Sequence, residues 1–298
     1  MDQMPDTTSV NPFVIAEVGC NHGGNPARAT KMIAVAAQFC EVDAVKFQKR
    51  DPRALLTPEQ YAAPHPNPMH AFGDTYGEHR EFLEFDVDEH GVLQRACADA
   101  GTVYSTSVWD VGSARSMVEL APDFLKVPSA ANANEELLKI LCLDYGGDVH
   151  VSLGMTTRAE EALLVETVVG CGAADRLVLY ACTSGYPVPF EDIALREIER
   201  LVESYGPTVK AIGFSGHHLG IAADVAALAL GATYFERHFT LDRTSKGTDH
   251  AASLEPDGMR RLVRDLRNVS KALTPKASEL LPIELDQRVK LKWQGAFR

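Results

Sequence analysis

Short apolar runs alternate with longer amphipathic stretches along most of this 298-residue chain. Runs of roughly four to eight apolar residues bounded by turn residues read as buried strands, and apolar positions three and four apart read as helices. On this basis strands are expected at 13–18, 43–48, 102–105, 123–127, 150–153, 177–181, 209–214 and 233–235. Helices are expected at 26–39, 87–100, 111–120, 134–143, 156–169, within 190–205, at 220–230 and at 255–273. Thr157 and Glu160 form a capping-box pair at the start of one of them. The segment 49–86 is rich in Pro, His, Gly and aromatic residues and has no clear period, which marks a functional or mobile loop. Strand-then-helix units repeated eight times in about 260 residues match a (β/α)8, or TIM, barrel. The expected organisation is an α/β fold: a single barrel over 13–273, with tails at 1–12 and 274–298. A doubly wound open sheet is the alternative, disfavoured because no glycine fingerprint follows the first strand.

Parallel barrels bind ligands at the carboxyl ends of their strands. There the chain places Glu17, Lys46 and Gln48, then Thr106 and Ser107, Lys126 and Ser129. Further on come Ser184 and Tyr186, Ser215 and His217, and Glu236 and His238. Lys46 interrupts the apolar run around Val45 and Phe47, and Lys126 does the same in FLKVPS. Lysine is almost never fully buried unless paired. Either these strands turn their lysines outward or pair them structurally, or the two ammonium groups hold a phosphate or carboxylate with the nearby hydroxyls. Glu17 is a bare ion-pair partner of Lys46 or a carboxylate with its own chemistry. His217 and His238 end successive strands, with Glu236 and Asp249 nearby, as a metal site would require. His217 rather than His218 is the expected ligand, because adjacent residues in an extended chain point opposite ways.

Composition narrows the classes. Hydrophobic residues make up 45% of the chain, enough for a full-size core. No apolar run is long enough to span a bilayer, and the polar N-terminus is no signal peptide. The six cysteines show no CxxC spacing and read as reduced thiols of a cytoplasmic protein. A net charge of −12 argues against nucleic acid and anionic membranes as partners. It leaves room for a small anionic substrate held by a local lysine cluster.

The motifs IAEVGCNHGG, DAVKFQ, YSTS, FLKVPS, CTSGYP, GFSGHHLG and ERHFTLDRTSKGTDHAASLEP resemble the sialic acid synthase family. That family comprises N-acetylneuraminate synthase and its legionaminic and pseudaminic acid relatives. The resemblance implies a (β/α)8 barrel that condenses phosphoenolpyruvate with an aldose, giving a 3-deoxy-2-keto sugar acid and phosphate. It implies a divalent metal, Mn²⁺ or Mg²⁺, on His217 and His238. Lys46, Lys126, Thr106, Ser129, Ser184 and Ser215 match positions that bind phosphoenolpyruvate. Glu17, Tyr186 and Asp249 match positions facing the sugar or the reacting centre, and Gln48 joins the substrate-binding set. Departures are Ser129-Ala130-Ala131-Asn132, where an acidic residue usually follows the serine, and Ser215-Gly216-His217 in place of Ser-Asp-His. Because the chain stops at Arg298, the antifreeze-like domain that lends a partner an arginine is expected to be absent. The segment 67–80 is expected to cover the mouth instead, and a homodimer or higher homo-oligomer is expected. The competing readings are a metal-dependent pyruvate aldolase or lyase on the same barrel, and a barrel that binds sugar or phosphate without turnover.

Overall fold

The strands carry apolar side chains on both faces, as a parallel sheet covered by helices demands. In chain order they are β1 (Phe13–Gly19), β2 (Ala44–Lys49), β3 (Val103–Val108), β4 (Phe124–Val127), β5 (Asp148–Ser152), β6 (Leu177–Cys182), β7 (Ala211–Gly216) and β8 (Tyr234–His238). They close in that order into a parallel barrel, β1 pairing with both β2 and β8. The computed structural model describes residues 11–293; segments 1–10 and 294–298 of the expected tails lie outside the described residues. The (β/α)8 expectation therefore holds, and the open sheet is excluded.

The helices run α1 (Pro26–Ala34), α2 (Pro52–Leu55), α3 (Pro58–Ala62), α4 (Tyr76–Phe82), α5 (Val87–Ala100), α6 (Val111–Leu120) and α7 (Glu135–Leu143). They continue as α8 (Arg158–Gly170), α9 (Glu197–Tyr205), α10 (Ala222–Ala229), α11 (Pro256–Ala272) and α12 (Pro282–Leu291). Three expectations need correction. The segment 49–86 is not structureless: α3 and α4 begin at the capping boxes Thr57/Gln60 and Thr75/Glu78, helices too short to show a period. Strand β3 extends to Val108 rather than 105, and the C-terminal tail contains α12. The first helix gives way at Val35–Phe39 to a π-turn.

Alternation along the strands sorts the interior. Val14, Ala16 and Val18 join the layer shared with Met32, Ile33 and Leu266 of the surrounding helices. Phe13 and Ile15 instead join Ala44, Phe124, Val178 and Tyr180 in a small plug inside the barrel. Above that plug, inward positions become polar, and the site begins there.

Arg237 of β8 faces the other way. It is fully buried and donates to Asp224 Oδ2 at 2.5 Å, to the His218 carbonyl at 2.5 Å and to the Gly220 carbonyl at 2.9 Å. This clamp ties α10 and the loop after β7 to β8, and it fixes His218 as a structural histidine. Asp224→Ala would leave the guanidinium buried without its counter-charge. We expect it to lower unfolding free energy by about 3–5 kcal/mol, read from the urea midpoint.

Candidate active site

The mouth holds four buried charges. Lys46 Nζ is ion-paired with Glu17 Oε2, donates to Ser107 Oγ at 2.6 Å and lies 3.8 Å from Glu236 Oε2. Lys126 Nζ donates to Glu236 Oε1 at 2.6 Å, which also accepts from Ser215 Oγ at 3.3 Å. Gln48 donates to Glu17 Oε1 at 3.0 Å. Burial alone would push both carboxyls up. For Glu17 burial wins over the pull of Lys46, and its pKa is raised. For Glu236 the two lysines outweigh burial and hold it down to about 2. Burial lowers the Lys126 ammonium, against the pull of Glu236. The two carboxyls are thus shifted in opposite directions by the same surroundings, Glu236 down by its lysines and Glu17 up by burial.

These groups line a cavity of about 300 Å³, shared with Ser129, Ser184, Tyr186, Ser152, Cys182 and Trp109. Ser129 and Ser184 converge on Gly154: a Cβ there would meet Ser184 Oγ and come within 2.7 Å of Ser129 Oγ. The Gly154 N–H donates to Ser129 Oγ at 3.0 Å. Only a glycine lets the two hydroxyls pack this closely against the backbone here. Thr106 is not in the cavity; it lies one residue off the inward register, and its neighbour Ser107 takes the place next to Lys46. Asp249 sits just outside, its Oδ2 3.4 Å from where a Cβ on Gly19 would stand, beside Glu17 and Gln48. Glu236, which the sequence places at the rim near the two histidines, bridges both lysines. It shares an inward face with His238 two residues on, and that spacing was the available signal.

Two imidazoles flank the charges. The rings of His217 and His238 lie 5.5 Å apart, with Tyr186 4.4 Å from His217. His217 Nδ1 contacts the Thr183 carbonyl at 3.0 Å, which leaves Nε2 as the free nitrogen. Burial, then the neighbouring His238, lowers His217 to about 3, so it is neutral. His238 Nδ1 is buried with no hydrogen-bond partner. A neutral imidazole and a second imidazole with an orphaned nitrogen are ligand types that divalent cations accept in general. Among the described residues no cluster of three or more His, Cys, Asp or Glu side chains is arranged to hold a metal.

The segment 67–80 stands at the rim of this face. His70 Nδ1 accepts from the Gly247 N–H at 3.1 Å, and Lys246 lies over the Phe72 ring at 4.7 Å. Arg80 lies over Trp109 at 5.8 Å, and Trp109 lines the cavity. The segment braces the loop after β8 and reaches the cavity through Trp109; its own residues are not in the cavity wall.

A family model described as the NeuB family matches residues 32–278. The chain belongs to the NeuB family. It is 37% identical over 279 residues to the N-acetylneuraminate-9-phosphate synthase of Homo sapiens, covering 94% of this chain and 76% of that protein. It is 30% identical over 272 residues to the N,N'-diacetyllegionaminic acid synthase of Legionella pneumophila, covering 90% and 75%. Among solved structures, the N-acetylneuraminic acid synthetase of Leptospira borgpetersenii in complex with citrate superposes with a TM-score of 0.79 at 27% identity, covering 95% and 93%. NeuB-family enzymes condense phosphoenolpyruvate with a sugar and depend on a metal ion, and this chain is a sialic acid synthase-like enzyme of that transferase type. Among the described residues no helix is long and apolar enough to cross a membrane. A methyl on Gly154 must displace the Ser129 and Ser184 hydroxyls. If those hydroxyls bind phosphoenolpyruvate, Gly154→Ala should raise its KM about tenfold or more; an equal KM in the folded variant would remove them from the site.

Proposed function

We propose that phosphoenolpyruvate lies against Lys46 and Lys126, with Ser129, Ser184 and Ser215 around it, and that an aldose enters from the Tyr186, Gln48 and Asp249 side. The observation that carries this is the convergence of two buried lysines and the Ser129 and Ser184 hydroxyls beside the paired imidazoles of His217 and His238. His217 and His238 would hold the divalent cation, Mn²⁺ or Mg²⁺, which when bound supplies Lewis-acid polarisation of an aldehyde oxygen. C3 of phosphoenolpyruvate adds to the aldehyde carbon, water adds at C2, and the resulting tetrahedral carbon expels phosphate. One water is consumed and one phosphate released.

The four charges cancel when both carboxyls are ionised, so an arriving anion meets no net cation. Protonating Glu17 changes that: the quartet becomes net positive, and Lys46 is freed from its counter-charge. Burial raises the Glu17 pKa, which favours this uptake, and the same proton then serves the sugar hydroxyl or the incoming water. Glu236 stays ionised and keeps the lysines in place.

The acceptor follows from carbon counting. Phosphoenolpyruvate supplies three carbons, so a nine-carbon product needs a six-carbon aldose, N-acetylmannosamine or a related sugar. The human relative's name places a phosphate at C9, which corresponds to C6 of such an acceptor. Arg80, over Tyr76 and Trp109 at the rim, suits that group. Six free thiols support a cytoplasmic enzyme. Exposed Ile283, Val289 and Leu291 on α12 support a homodimer or higher homo-oligomer.

The test is a set of hexosamines, with and without a 6-phosphate, given phosphoenolpyruvate and Mn²⁺. Stoichiometric phosphate release with a product carrying the added three carbons is expected; product formed from pyruvate without phosphate release would establish an aldolase, and no turnover a binding barrel. Chelation should abolish the activity and Mn²⁺ restore it, and His217→Ala with His238→Ala should abolish it permanently. Lys126→Ala should raise the KM for phosphoenolpyruvate about tenfold or more, with the sugar KM nearly unchanged. An effect confined to the sugar KM would contradict the assignment.

A further inference from the structure

Lys126 has a second neighbour that the chemistry above leaves out. Its Nζ stands over the ring of Tyr180, 4.4 Å from the centroid. Tyr180 is fully buried and is not part of the cavity wall, so no substrate touches it. Its ring is held from several sides. The hydroxyl meets His150 Nδ1 at 2.9 Å, and His150 is itself stacked on Phe124 with ring centroids 4.1 Å apart. Against the ring lies Gly213 of β7, where a Cβ would come within 2.6 Å of Tyr180 Cε1. Beneath the lysine, Tyr180 is thus braced by His150, whose ring is tilted 42° to it and stacked in turn on Phe124.

An ammonium carries three donors and no acceptor. Glu236 takes one of those of Lys126. A second carboxylate below would satisfy another, but would also cancel the charge that an anionic substrate needs. An aromatic face attracts the cation through its quadrupole and carries no net charge. We propose that Tyr180 is a positioning residue: its ring face seats the Lys126 ammonium below the anion site and leaves its charge available to phosphoenolpyruvate. This rests on phosphoenolpyruvate binding at Lys126, and it adds a residue outside the cavity to the determinants of that binding.

The decisive experiment keeps the shape of the ring and changes its electronics. In the full-length, metal-loaded enzyme, Tyr180 is replaced by phenylalanine and then by mono-, di- and trifluorinated phenylalanines, which weaken the π face stepwise. KM for each substrate, kcat, the affinity for phosphoenolpyruvate by calorimetry and the melting temperature are measured across the series. We expect Tyr180→Phe to stay close to the parent. Fluorination should then raise the KM and weaken the affinity for phosphoenolpyruvate progressively, reaching about tenfold or more. The sugar KM and the melting temperature should stay level, which a merely structural role would not produce. A flat phosphoenolpyruvate response in folded variants overturns the inference. So does a loss in Tyr180→Phe as large as in the trifluoro variant, which would assign the effect to the His150 contact. If the parent enzyme binds no phosphoenolpyruvate at all, the underlying reading of the site fails first, and calorimetry on the parent shows that separately.

Discussion

Everything at the mouth depends on holding four charges out of water without letting them collapse into a dead salt bridge. Two lysines and two glutamates are buried within a few ångströms of one another. Burying such ions is costly, and mutual attraction recovers the cost only when each is well partnered. The partners come from different strands: Ser107 on β3, Ser215 on β7 and Gln48 on β2. A closed barrel is the scaffold that can bring them to one point, since each strand contributes a side chain at the same height. The cost is carried by the apolar layers beneath and around, not by the site itself.

The asymmetry within the quartet gives it chemistry. Glu236 feels both lysines and remains an anion; Glu17 is dominated by burial and has its pKa raised. Two carboxyls in one cavity thereby have their pKa values pushed apart, the pattern on which the proposed division into a cation holder and a proton carrier rests. Small residues then decide what packs around the charges. Gly154 lets the Ser129 and Ser184 hydroxyls close in on one point, and Gly213 admits the Tyr180 ring under Lys126. The His217 and His238 pair lies to the side, kept apart from the structural His218 by the Arg237 clamp.

Much of this was legible in the sequence because charge inside an apolar strand is conspicuous. Lys46 and Lys126 stand out in DAVKFQ and FLKVPS, and both are where that pattern puts them. What was less legible came down to register. A strand side chain flips face with every residue, so of the two rim neighbours Thr106 and Ser107 only one faces the cavity, and the structure makes it Ser107 rather than the Thr106 that the resemblance implied. Glu236 was hidden in the run Glu236-Arg237-His238, where one residue points into the mouth and the next into a buried clamp. The short helices of the 49–86 segment carry capping boxes but too few turns for a hydrophobic period, and so passed for loop. The contact of His70 with Gly247 joins residues far apart in the chain, and no local pattern announces it.

The central claim is that the quartet receives an anion by taking a proton onto Glu17. It is tested most directly by calorimetric titration of phosphoenolpyruvate in buffers of different ionisation enthalpy, at a pH where the substrate phosphate is fully ionised. The slope of observed heat against buffer enthalpy counts the protons taken up on binding. The account predicts net proton uptake in the native enzyme and none in Glu17→Gln. Binding without uptake in the native enzyme, or uptake that persists in Glu17→Gln, would contradict it.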